Sequence, residues 1–206
     1  MKATTEKPPK IEQESVQIPA IQTETFKLKI VGTSPLICHK FSQKAKEAML
    51  TPKAARVTTS KRAPRDPDQA FRDSLYPIPG KKGVYGFPAA GFKKAAVSAC
   101  RQIDSVPMTF LRGAFFVIDD ADGLVEIEGT PTMREDIVRL NGMTADVRFR
   151  AEFKKWAATL TIQYNKGSIS KAQIINLMNM AGFSVGVGEW RPERNGSSGR
   201  FMVQGS

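Results

Sequence analysis

From Thr25 the chain alternates strictly. Phe26, Leu28 and Ile30 fall on one side of an extended backbone and Lys27, Lys29 and Val31 on the other, which predicts a half-buried strand over 25–31. Gly32 and Pro35 close it, because glycine permits the turn and the residue before a proline is pushed toward extended geometry. A short polar helix is expected over 68–75 and a small hairpin over 76–88. Phe92, Ala96, Ala99, Cys100 and Ile103 then recur at helical spacing and predict a helix over 89–102. Pro88 stands at its start, where a missing N–H costs nothing, and the opposite face carries Lys93, Lys94 and Arg101.

Two more strands are predicted over 113–118 and 124–128. Asp119, Asp120, Asp122 and Gly123 lie between them; Asp-Gly is a favoured two-residue turn, and the acids read as turn residues rather than a cation site. Val147, Phe149, Ala151 and Phe153, then Trp156, Ala158, Leu160, Ile162 and Tyr164, alternate with their neighbours on either side of Lys154-Lys155. This predicts one hairpin over 146–164, with Arg148 and Arg150 on the face away from its core. Ser170 and Gln173 form a capping box ahead of Ile174, Leu177, Met178 and Ala181, so a helix is expected over 170–181, closed by Gly182. A last strand is expected over 200–203. In order the elements give an α+β chain on the ferredoxin-like βαββαβ plan shared with RNA-recognition modules.

Composition adds a partner class. The 206 residues permit one domain with a real core, and 41% hydrophobic with 25% charged residues excludes fibres and wholesale disorder. Thirty-one Lys and Arg against 20 Asp and Glu leave +11, which points to a polyanion. Two cysteines, Cys38 and Cys100, and one histidine, His39, leave no paired CxxC site and too few ligands for zinc, so neither metal nor cofactor is expected. The start of the chain has no apolar core of signal-peptide length and no run is long enough for a membrane helix, so a cytoplasmic protein without membrane partners is expected.

The charge is unevenly placed. Residues 1–24 are polar with isolated Val16, Ile18 and Ile21, and read as a flexible arm before a single domain over 25–206. Between Lys40 and Arg65 stand eight basic residues, among them Lys44, Lys53, Arg56, Lys61 and Arg62, against one acid, Glu47. Pro52, Pro64 and Pro67 and the lack of periodicity make 40–75 an inserted basic loop. At the other end, Gly186, Gly188, Gly196 and Gly199 are interleaved with Trp190, Arg191, Arg194 and Arg200. Glycines let a backbone or ligand approach closely, and such a loop suits phosphate contact; it is neither a Walker loop nor a dinucleotide fingerprint.

Three stretches resemble the RAMP superfamily, and especially the backbone subunits of CRISPR effector complexes: Phe26 to Leu36, ending in a small-Pro-Leu turn; Phe87 to Ala96, with its proline and small residues leading into a basic helix; and the glycine-rich end. The resemblance implies a non-catalytic subunit that coats guide RNA. Single-stranded RNA, copies of itself in a head-to-tail filament, other effector subunits and target nucleic acid are the partners it implies. The residues by themselves suggest a basic groove: the 40–65 run, Lys93, Lys94, Arg148, Arg150 and the glycine-loop arginines on phosphates, with Trp190 or Tyr85 stacking on bases. Two other readings stand beside it. One is a single-stranded DNA binding or annealing protein of a phage or mobile element; the other is a metal-independent endoribonuclease using His39 as general acid or base.

Overall fold

In the computed structural model, residues 18–41, 47, 49–50, 66–104, 106–140 and 144–205 are described. The chain is α+β, built of two antiparallel sheets and four helices among those residues. The larger sheet places β1 (Thr23–Gly32) between β8 (Ala157–Asn165) and β9 (Phe201–Val203). The other edge of β8 takes both β4 (Phe115–Ile118) and β5 (Leu124–Glu128), and β3 (Gly86–Pro88) lies beyond β5. The smaller sheet is β2 (Leu36–Cys38), β7 (Thr144–Phe153) and β6 (Pro131–Leu140), in that spatial order.

One face of the larger sheet is buried by α2 (Ala89–Ala99) and α4 (Lys171–Ser184). Leu28 and Ile30 of β1, and Ala158, Leu160 and Ile162 of β8, meet Phe92, Ala96 and Ala99 of α2 and Ile174, Leu177, Met178 and Ala181 of α4. Each large side chain so buried contributes about 1.5–3 kcal/mol relative to leaving it in water. The opposite face carries Lys27, Lys29 and Glu128 in solvent. A shorter helix, α1 (Pro67–Ser74), capped by Asp66, packs on β7. No helix among the described residues is long and apolar enough to cross a membrane.

Several expectations are corrected. The 146–164 segment is not a hairpin: β7 pairs with β6 and β2, and β8 pairs with β1. Alternation alone cannot choose a partner, and the apolar side of β8 finds its match across the sheet in Phe26, Leu28 and Ile30. The chain instead changes sheets at Lys154–Trp156, as it does at 33–35 between β1 and β2 and at 129–130 between β5 and β6. Trp156 clamps this corner: its Nε1 donates to the Ser34 carbonyl at 2.8 Å, and any side chain at Gly32 would strike the indole.

Gly182 does not close its helix. It is buried inside α4, which runs on to Ser184, and it is a glycine because a side chain there would meet the Phe201 backbone. The start of the expected 113–118 strand belongs to α3 (Met108–Ala114), and β1 begins two residues earlier than expected. The Asp122-Gly123 turn is present, with both residues at positive φ (53° and 77°); Asp119 and Asp120 accept the N–H groups of Gly123 and Glu126.

Candidate nucleic-acid interface

The glycine-rich end leaves α4 and folds back over the corner between β1 and β2. Gly186 N–H donates to Ala181, Val187 N–H to Gly199, Gly199 N–H to Pro35, and Glu189 N–H to Ile37. The glycines are where this packing leaves no room. Gly188 sits at φ +79°, and a Cβ there would lie 2.5 Å from the Ile37 carbonyl oxygen. Gly196 is pressed against the Trp190 backbone, and Gly199 against that of Val187. The loop's N–H groups are thus largely engaged within the protein. Any grip on an anion falls to side chains.

A cleft of about 220 Å³ opens between this loop, α2 and the end of β2; His39, Tyr76, Lys94, Glu189, Arg191 and Glu193 are among the residues that line it. Lys94 reaches it from the exposed flank of α2. Helix α2 has no acidic residue, so nothing on the helix itself balances Lys93 and Lys94. Arg191 is fixed: Nη2 and Nε donate to Glu193 Oε2 at 2.9 and 3.1 Å, and Nη1 donates to the Gly188 carbonyl at 3.0 Å. His39 Nδ1 lies 3.7 Å from Glu189 Oε1. The Glu189 carboxyl is held below the ordinary carboxylate range chiefly by His39, with Arg150 and Arg191 adding, against the opposing effect of burial. Burial pushes Glu193 up, and Arg191, Ser98 and Arg101 outweigh it, so that carboxyl also lies low. Beneath the cleft, burial raises the Tyr76 phenol and drives the Cys38 thiol up to about 12, leaving the latter unreactive.

Of the residues singled out by sequence, Lys94, Gly186, Gly188 and Arg191 come together here. Lys93 is on the adjoining flank, its Nζ donating to the Arg112 carbonyl at 2.8 Å and lying 3.7 Å over the Phe116 ring. Trp190 is 44% exposed at φ +54°, whereas Tyr85 packs against the core. Arg194 is exposed on the loop, and the Arg200 N–H is bonded to Ser34 Oγ at 2.9 Å. Lys40 is half-buried, with its N–H on the Ser74 carbonyl. Lys44, Lys53, Arg56, Lys61 and Arg62 lie outside the described residues.

Arg148 and Arg150 do not line the cleft, although the charge of Arg150 acts on Glu189. Arg148 pairs with Asp146 at 3.0 Å, and Arg150 is buried with Asp136 at 3.3 Å. Arg134 joins the same face of the β6–β7 hairpin, 2.7 Å from both Asp136 and Glu152. Arg150 is therefore an internal ion-pair partner rather than a surface cation. Sequence reading missed the acids that partner these arginines. Glu189 and Glu193 were visible within the glycine-rich run, but their role depends on how that run folds back on itself.

No protein-family model matches the chain, and no curated protein matches it by sequence. Among solved structures, the crystal structure of Cmr6 from Pyrococcus furiosus is similar at a TM-score of 0.42 and 12% identity, covering 89% of this chain and 100% of that one.

Proposed function

We propose that the chain is a non-catalytic RNA-binding backbone subunit of RAMP type, which assembles along single-stranded guide RNA in a CRISPR-type ribonucleoprotein. The observation that carries the reading is Lys94, an exposed cation on an acid-free helix at the lip of the glycine-rich cleft, in a chain of net charge +11. Lys94, Arg194 and Arg200 grip phosphates, and the exposed indole of Trp190 offers a stacking platform. The basic run of 40–65 adds to the chain's positive charge.

The spatial order β9, β1, β8, then β4 and β5, with α2 and α4 on one face, supports reading residues 25–206 as a single ferredoxin-like βαββαβ domain. In that reading 40–75 is an insertion and the stretch before β1 is an arm that reaches a neighbouring copy. Head-to-tail contacts of this kind build open filaments. A cytoplasmic location and other effector subunits belong to the same proposal.

The test is purification without nuclease treatment, followed by extraction and sequencing of the nucleic acid that accompanies the protein. RNA protected in lengths that are multiples of a fixed unit is the expected result. Recovery of DNA alone, or a matched DNA oligomer displacing RNA at equal concentration, would favour the phage-type single-stranded DNA binder instead.

A further inference from the structure

A second cavity, of about 340 Å³, lies on the adjoining flank of α2, between that helix and α3. Helical spacing puts Ala90, Lys93, Val97 and Arg101 on this flank and Gly91, Lys94 and Ala95 on the flank facing the glycine-rich loop. Ala90, Val97 and Met108 contribute apolar surface, while Lys93, Lys94, Arg101 and Arg112 supply positive charge. Among the described residues no acid lines it, whereas the glycine-rich cleft holds Glu189 and Glu193 against its own cations. Arg101 approaches Glu193 only at 4.0 Å, and Asp104 follows in the connection to α3. The rim is set in advance, since the bond from Lys93 Nζ to the Arg112 carbonyl ties α2 to α3.

We infer that this groove takes one nucleotide unit of a bound single strand, with its phosphate on Arg101 and Arg112 and its base against Ala90, Val97 and Met108. Lys94 lines both cavities and joins them into one track across α2. The volume is at the small end of ligand pockets, which suits a nucleotide better than a partner helix. A positively charged groove that tracks the backbone is how single strands are held without regard to sequence, and the aliphatic floor of Ala90, Val97 and Met108 offers apolar contact to the face of a base. The inference rests on the RNA-binding reading and adds the place where the strand leaves the glycine-rich cleft.

The test measures binding of a labelled 20-nucleotide oligouridylate by the full chain and three variants. Arg101→Ala/Arg112→Ala removes the rim, Arg101→Lys/Arg112→Lys keeps its charge, and Lys27→Ala/Lys82→Ala removes two exposed cations elsewhere. All the altered side chains are exposed, and a thermal melt checks that each variant folds. The groove predicts a loss of about tenfold for the double alanine and a log–log salt slope shallower by about 0.7, from the one phosphate that the pair holds. It predicts near-complete rescue by the lysine pair and a smaller loss for the remote pair. Equal losses in the groove and remote pairs would overturn the groove and leave RNA binding standing. If the unaltered protein does not bind the oligomer, the RNA-binding reading itself falls, and the groove with it. An acidic amphipathic peptide that displaces the RNA only when Arg101 and Arg112 are present would assign the groove to a protein partner and overturn the nucleotide.

Discussion

The N–H of Glu189 donates to the carbonyl of Ile37 at 3.0 Å, fastening the glycine-rich loop to the outer strand of the smaller sheet. Gly188, one residue earlier, makes that bond sterically possible. Gly188→Ala meets both a positive φ and a carbonyl 2.5 Å away, so the expected cost is about 2–4 kcal/mol, read as a lowered melting temperature. Gly83→Ala, at φ +75° with open space around it, is the control and is expected to cost about 1 kcal/mol. Equal losses would show that the close approach to Ile37 is unimportant.

Acid should loosen the same corner. Glu189 and Glu193 are both held below their ordinary value of 4.5, so the unfolded chain binds protons more readily than the folded one and stability rises with pH. Their contribution is complete above about 4.5 and is lost as the pH falls through the lower folded values. Glu189→Gln is expected to flatten the dependence of melting temperature on pH between about 5 and 3. An unchanged slope would remove the His39–Glu189 pair from the account.

Binding to single strands should weaken steeply with salt. If each subunit engages about 4–6 phosphates, the log–log slope is roughly −3 to −4. A flat response in fluorescence anisotropy would contradict phosphate contact by Lys94 and its neighbours.

His39, the chain's one histidine, faces the cleft with a carboxylate beside it. The non-catalytic reading expects intact RNA after long incubation, with or without chelator, and an identical result for His39→Ala. Chelator-resistant cleavage that disappears in His39→Ala would establish a nuclease.

Assembly is expected to depend on RNA length. Oligomers long enough for several subunits should give helical particles by electron microscopy and a mass rising in fixed steps by light scattering. A monomer that binds such oligomers tightly and never associates would sink the filament while sparing RNA binding.

Local patterns were legible wherever a single element decides them. The capping box at Ser170 and Gln173, the alternation of β1 and the apolar stripe of α2 all appear as the sequence implies. Partner choice was not legible. Phe153 and Trp156 look like two sides of one turn, yet they end one sheet and lead into the other: β8 lies beside β1, and β7 lies between β2 and β6. Charge was legible as a total but not residue by residue. Arg150 and Lys94 look alike in sequence, and cross-strand pairing with β6 buries one while a helix flank exposes the other.

The pairing of β1 has a consequence in time. Val31 waits for Ala157 and Thr23 for Asn165, separations of 126 and 142 residues. At 5–20 residues per second, a growing chain carries β1 unpartnered for about 6–30 s, with Phe26, Leu28 and Ile30 exposed along an open strand edge. Synthesis is therefore the interval in which this protein is most prone to aggregate. Slowing initiation or supplying chaperone should raise its yield more than any stabilising change to the finished fold, because the hazard ends once β8 leaves the ribosome and takes its place beside β1.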